Sequence, residues 1–428
     1  MFPRALLVLL IPAILSAAAA KPRVLVLTDI SSLTAGIREP DDGQSLIRFL
    51  LFSNEFDVEG IVATSNMRHG QTVRPELVRQ AIDAYAQVWP NLRRHATGYP
   101  DPAQLRARVK SGQPVAGPQV PIEQSVGEGK DTEGSRWIIS AASKPGKRPL
   151  WILIWGGSTD LAQALWRTRD NPALRSKLRV HAIYDQDAAA PWIRKTFPDL
   201  SYIVRRHGVR GMYRGGDMSL VSSQWVETNI RTGHGPLGAL YPNYNGGDIW
   251  SSRLGRVQGI KEGDTPSFLG LIGNGLNLPD RLDLGGWGGR VVNFEDAADT
   301  DVAAPDDPDP LISAVYRWRG ASQADFQARL DWCVRSPAEA NHPPKVKLKV
   351  NGRQLDARGS TDPDGGTLTY EWLICPPPPS SGPPARIQAN GATASVVLPP
   401  GMKSTQVVLS VRDSGNPPLT RYGRAEVR

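Results

Sequence analysis

Val24-Leu25-Val26-Leu27-Thr28-Asp29, followed after a short insert by Glu39-Pro40-Asp41-Asp42-Gly43, is the stretch that decides the fold class. An unbroken apolar run ending on an acid reads as a buried parallel strand that carries Asp29 at its C-terminal tip. Asp41 and Asp42 then stand at the mouth of a helix over 44–52, with Leu46, Ile47, Leu50 and Leu51 on one apolar stripe. Three carboxylates converge on the strand edge where open α/β sheets place their ligands. Such like charges repel unless a cation lies between them, and an all-oxygen set suits a hard ion such as Ca²⁺. Asp41 and Asp42 equally fit helix N-terminal acids complementing the dipole, so both explanations stand at this level.

Working outward, apolar runs at 58–64, 149–155, 179–184 and 202–205 predict further strands, and 75–89, 134–143 and 161–167 predict helices. The strand over 58–64 ends on Ser65-Asn66, that over 149–155 on Gly156-Gly157-Ser158-Thr159-Asp160, and that over 179–184 on Asp185-Gln186-Asp187. The Pro- and Gly-rich stretch 101–130 predicts a surface excursion. This alternation predicts an α/β fold with a doubly wound, mostly parallel sheet. After Gly208 the pattern loosens into Gly-rich loops, and helical periodicity returns over 311–334. Asn341-His342-Pro343-Pro344 reads as a linker. Beyond it the period switches to two, with short strands expected around 346–350, 368–373, 396–398 and 406–411, which predicts a small all-β immunoglobulin-like sandwich. The expected organisation is a signal peptide over 1–20, an α/β domain over 21–336 and the sandwich over 337–428.

The leader rests on a short basic start, an apolar core over 5–15 and a small-residue tract ending at Ala20. Its apolar run is shorter than the roughly 20 residues a spanning helix needs. The expectation is therefore export to a periplasmic or extracellular location, with no membrane span after cleavage. The net charge is +8, but the basic residues are scattered and do not alternate with aromatics, which argues against a nucleic-acid partner. Cys333 and Cys375 are the two cysteines, so no disulfide framework holds the fold. Whether this pair bonds across the two domains is left open.

Acids and amides recur at expected strand and helix ends: Asp29, Asn66, Asp187, Asp41-Asp42, and Asp264 in Glu262-Gly263-Asp264-Thr265-Pro266. Each singly fits a cap or turn former, Asp264 included as the cap of a short helix over 267–272. Their order along the chain resembles the nucleoside hydrolase superfamily and, more closely, its secreted branch of cellulose-binding proteins with an immunoglobulin-like second domain. The segments Tyr184-Asp185-Gln186-Asp187, His234-Gly235-Pro236-Leu237-Gly238, Tyr316-Arg317-Trp318-Arg319 and Tyr370-Glu371-Trp372 carry the same likeness.

The resemblance implies that Asp29, Asp42, the Trp155 carbonyl and Asp264 bind Ca²⁺. It also implies that Asp29 or Asp41 takes the proton of an attacking, metal-bound water, and that Asp41 and Asn66 hydrogen-bond sugar hydroxyls. Asp187 falls where the family places sugar-contacting amides. Three departures stand out: Leu27 replaces an acid two positions before Asp29, the loop from Asp29 to Asp41 is long, and Gly263 stands where some members carry a protonating histidine. His234 is a candidate substitute acid as well as an ordinary solvated loop residue. Trp287, with Tyr241, Tyr244 and Trp250, could stack on a sugar or simply pack the loops. The expected partner is a sugar, a nucleoside-like molecule or a polysaccharide. The expected function is a Ca²⁺-dependent hydrolase of N-ribosidic or related glycosidic bonds; the alternative is a non-catalytic cellulose-binding protein that keeps the sugar pocket.

Overall fold

Six parallel strands form the centre of the α/β unit: β1 (Arg23–Thr28), β2 (Asp57–Ala63), β3 (Val109–Ser111), β4 (Leu150–Ile154), β5 (Leu178–Ala182) and β6 (Ser201–Val204), in the order β3-β2-β1-β4-β5-β6. This computed structural model describes residues 20–34, 40–65, 72–247, 255–299, 301–303, 309–375 and 383–428. The leader expected at 1–20 lies outside them but for its last residue, as do Asn66 and Trp250.

Every residue of β1 and β4 is buried, which is why both read as continuous apolar runs. Their register pairs Leu27 with Ile154, so Thr28 and Asp29 leave the sheet beside Trp155 and Gly156. The chain crosses to opposite sides of the sheet from these two central strands, and the crevice beyond their C-terminal ends is the switch point where doubly wound sheets bind ligands.

The helices include α1 (Asp41–Leu51), α2 (Pro75–His95), α3 (Pro102–Ala107), α4 (Glu133–Ser143), α5 (Thr159–Arg167), α6 (Pro172–Arg175), α7 (Ala189–Thr196) and α8 (Arg319–Asp331). In α1 every residue from Asp42 to Leu51 is buried, so this helix runs through the interior and its first turn faces the crevice. One apolar layer joins α1, α2 and the later loops to one face of the sheet, and a second layer joins α4, α5 and α7 to the other. Two expectations are corrected. The excursion over 101–130 holds α3 and the edge strand β3, whose three residues are too few to show a period. The helix over 311–334 is broken into short turns ahead of α8.

The C-terminal part is the expected sandwich: a sheet built from Lys349–Asn351, Gln354–Asp356, Thr393–Val397 and Arg386–Asn390 packs on one built from Leu368–Cys375, Thr405–Asp413 and Thr420–Val427. Both cysteines are free thiols; Cys333 is buried, and Cys375 Sγ lies 3.2 Å from the Leu284 carbonyl. No helix among the described residues is long and apolar enough to cross a membrane.

Candidate functional site

Three elements deliver acids to the crevice. Asp29 follows β1 directly and is 8% exposed. Asp41 and Asp42 open α1 as its first-turn acids behind Pro40, which has no side chain that can cap the helix. Asp264 ends the segment before a short turn of helix and is 1% exposed. The Ser267 hydroxyl and amide both bond the Asp264 carbonyl, so here too the carboxylate is not the cap. Carboxylate oxygens of Asp41, Asp42 and Asp264 lie within 4.8 Å of one another. Asp29, expected among the ligands, is not in that set; it lines the same pocket beside Asp41 and Asp42.

Local packing fixes these groups. The buried Thr28 hydroxyl donates to Asp42 Oδ1 and ties α1 to the end of β1. The Asp29 side chain lies across Gly156, where an added Cβ would come within 2.6 Å of Asp29 Cβ. The Lys261 ammonium is 3.4 Å from Asp41 Oδ2. Behind the acids, Glu262 forms a fully buried ion pair with Arg48 of α1 at 2.6 Å. Glu262 also accepts from Tyr241 at 2.5 Å and Thr265 at 2.8 Å, which anchors the strap that carries Asp264. Gln44 adds a second tether, accepting from the Lys261 amide and donating to the Pro242 and Gly259 carbonyls.

The pocket is partly open to solvent, with about 680 Å³ of empty space when its open mouth is counted. One wall is acidic: Asp29, Asp41 and Asp42, with Gly263 beside them. Tyr184, Gln186, Arg206, Arg210 and Tyr213 also line the pocket. Trp155 lines the pocket, and its carbonyl accepts from Gln186 Nε2 at 2.6 Å, one of the two bonds a carbonyl can take.

A donor set of three clustered carboxylates and a nearby carbonyl, all oxygen, matches a hard divalent cation. Among the described residues this cluster holds carboxylates alone, ligands that suit a hard rather than a soft metal.

Three expected contacts are corrected. Asp187 sits under the Gly-Gly turn, where Oδ2 accepts from the Ser158 and Thr159 amides and the Thr159 hydroxyl, and Oδ1 from the Ala189 and Ala190 amides. Burial pushes its carboxyl above the usual range against those bonds. Its role is to clamp the starts of α5 and α7, and its neighbour Gln186 lines the pocket instead. His234 pairs with Asp331 at 3.2 Å, away from the pocket lining. Trp287 is 1% exposed and donates to Tyr422 Oη of the sandwich at 3.2 Å, so it packs rather than stacks on a sugar. Tyr241 and Tyr244 are likewise buried. Asn66 and Trp250 lie outside the described residues. The sequence signal for Gln186 was its position one residue from an expected site acid; nothing in the sequence singled out Arg48 or Tyr213.

Residues 23–291 match the family model described as cellulose-binding Sde182, nucleoside hydrolase-like domain, and residues 353–428 match cellulose-binding protein Sde0182, C-terminal domain. Among solved structures, the chain is similar to a nucleoside hydrolase-related hypothetical protein from Saccharophagus degradans that is associated with carbohydrate metabolism. The identity is 33% and the TM-score 0.76, over 96% of this chain and 100% of that one. No curated protein matches the chain.

Proposed function

This chain belongs to the cellulose-binding Sde182 family with a nucleoside hydrolase-like domain, and from that premise we propose that it is an exported, Ca²⁺-dependent hydrolase of glycosidic bonds. The observation that supports this most is the set of three carboxylates within 4.8 Å at the switch point of the sheet. Burying such a cluster is costly without a balancing cation, and a surface that merely grips a neutral polymer has no need of it.

Asp42 and Asp264 hold the ion in this proposal, with Asp41 and the free lone pair of the Trp155 carbonyl completing the protein donors. When bound, Ca²⁺ supplies charge that orients a sugar's vicinal hydroxyls and acidifies a water. Asp29, braced against Gly156, takes the proton of the attacking water on its carboxylate. Asp41 accepts from a sugar hydroxyl, and Gln186, which also lines the pocket, offers its Oε1. Negative charge along the acidic wall stabilises an oxocarbenium-like transition state. Asn66 remains a proposed hydroxyl partner from the sequence. The sugar or nucleoside-like substrate and the periplasmic or extracellular location are part of the same proposal.

One observation favours the second reading, a non-catalytic polysaccharide binder. An added Cβ at Gly263 would lie 3.3 Å from Asp41 Oδ2, so the wall where a protonating side chain would project holds only a hydrogen. The test is calorimetry with Ca²⁺ beside a hydrolysis screen of N- and O-glycosides. The wild type should bind Ca²⁺ and cleave at least one class, and Asp42→Asn should weaken binding by roughly a hundredfold. Ca²⁺ binding without any cleavage, together with retention on insoluble polysaccharide, selects the binder. Equal Ca²⁺ affinity in Asp42→Asn, Asp264→Asn and wild type removes the metal site.

A further inference from the structure

Far from the acidic pocket, a hydrogen-bonded chain crosses from the α/β unit to the sandwich. His95 closes α2, and its Nε2 lies 2.9 Å from the Arg335 carbonyl. His95 Nδ1 faces His342 Nε2 of the linker at 3.0 Å. His342 Nδ1 in turn lies 3.0 Å from Asp364 Oδ1 in a turn of the sandwich, and the His342 amide donates to Asp364 Oδ2 at 2.6 Å. The ring centroids are 5.2 Å apart while the facing nitrogens are 3.0 Å apart, so these nitrogens point nearly head-on. The Trp332 indole lies parallel to His95 at 5.4 Å.

Counting protons decides what this chain requires. The Arg335 carbonyl and an ionised Asp364 can only accept, so His95 Nε2 and His342 Nδ1 must both carry hydrogens. The head-on contact needs one more. Three hydrogens on two rings make one shared positive charge, balanced by Asp364 and favoured by the indole face. A fully neutral pair has two hydrogens for three bonds, and two nitrogen lone pairs collide. A doubly protonated pair sets two N–H groups against each other.

We infer that His95, His342 and Asp364 form a proton-gated clasp that fastens the sandwich to the α/β unit and holds best when the two rings share a single added proton. The charged groups around it are Arg94 on α2, the Asp331–Arg335 pair at 3.1 Å after α8, and Asp362, which accepts from the Asp364 amide. Lys345 and the Glu55–Arg329 pair line the same groove.

Burial, then the neighbouring His342 and Arg94, hold His95 below the ordinary imidazole value, against the opposing pull of the Arg335 carbonyl and Asp364. A second proton is therefore resisted: the clasp is intact above about pH 6.5 on that account and weakens as pH falls through the depressed value. Loss of the shared proton at higher pH opens one of the three bonds, so the clasp also weakens on the alkaline side.

The experiment is urea unfolding of the full chain from about pH 4.5 to 9 at fixed salt, beside ¹⁵N spectra of histidine-labelled protein. The wild type should show a hump in its midpoint, and His342→Gln, which cannot carry the proton, should lose it. Asp364→Asn should lose the alkaline side first. In the wild type the two rings should show three slowly exchanging N–H signals near pH 6.5 and two near pH 9, a readout that needs no variant to fold. Identical pH profiles in wild type and His342→Gln, or one hydrogen on each ring near pH 6.5, would overturn the clasp.

Discussion

Asp187 and Gly156 show how single residues of one sheet edge divide between architecture and chemistry. Both flank the β4 turn, yet neither is proposed to touch a ligand. Asp187 has its two oxygens filled by five donors from two helix starts. Asp187→Asn turns an amide NH₂ toward those N–H groups and should cost about 2–4 kcal/mol in urea unfolding, while Ca²⁺ affinity stays unchanged. Gly156→Ala acts in the opposite way. Its methyl would overlap Asp29 at 2.6–2.8 Å, so Asp29 must move, and turnover should fall much more than stability. A parallel drop in stability and turnover for both variants would erase this division of labour.

At the scale of elements, the strap carrying Asp264 is held by a polar network within an apolar layer. Arg48 spans it, pairing with Glu262, donating to Gln323 of α8 at 2.7 Å and lying 3.8 Å over the Phe326 ring. α1, α8 and the strap therefore share one buried guanidinium. Glu262→Gln leaves that charge uncompensated and should cost about 3–5 kcal/mol, measured by chemical unfolding. Because the strap also positions Asp264, the same variant should weaken Ca²⁺ binding. Unchanged affinity would show that Asp264 is placed by the Ser267 bonds alone.

For the whole molecule, the linker signal suggests two independent units, and the packing binds them tightly. Tyr422 of the sandwich sits edge-on against Trp287 at 6.3 Å and Trp318 at 5.7 Å. Arg421 pairs with Asp325 of α8 at 2.5 Å, and Arg424 donates to the Leu276, Leu284 and Gly285 carbonyls. Tyr422→Ala should therefore cost about 3–5 kcal/mol in the full chain. A chain ending at Ser336 uncovers Trp287 and Trp318 and should aggregate, as light scattering would report. A soluble, cooperative fragment with full activity would return the sandwich to the role of a separate module.

What the sequence determined by itself is what local pattern encodes. Unbroken apolar runs gave away β1 and β4 because strands buried on both faces have no polar side to show, and Asp29 at the end of β1 marked the edge where the candidate site lies. The switch to period two past Pro344 marked the sandwich for the opposite reason: its strands bury one face and leave the other toward solvent. The tertiary structure decided what depends on partners distant in sequence. Asp41 rather than Asp29 joins the clustered carboxylates because α1 runs inward and turns its first residue toward Asp264, more than two hundred positions away. Asp187 and Trp287 are taken from the pocket by helix starts and by Tyr422, partners that no spacing along the chain reveals. Composition and periodicity place a side chain on a face; which atoms fill its hydrogen bonds is set only when the faces meet.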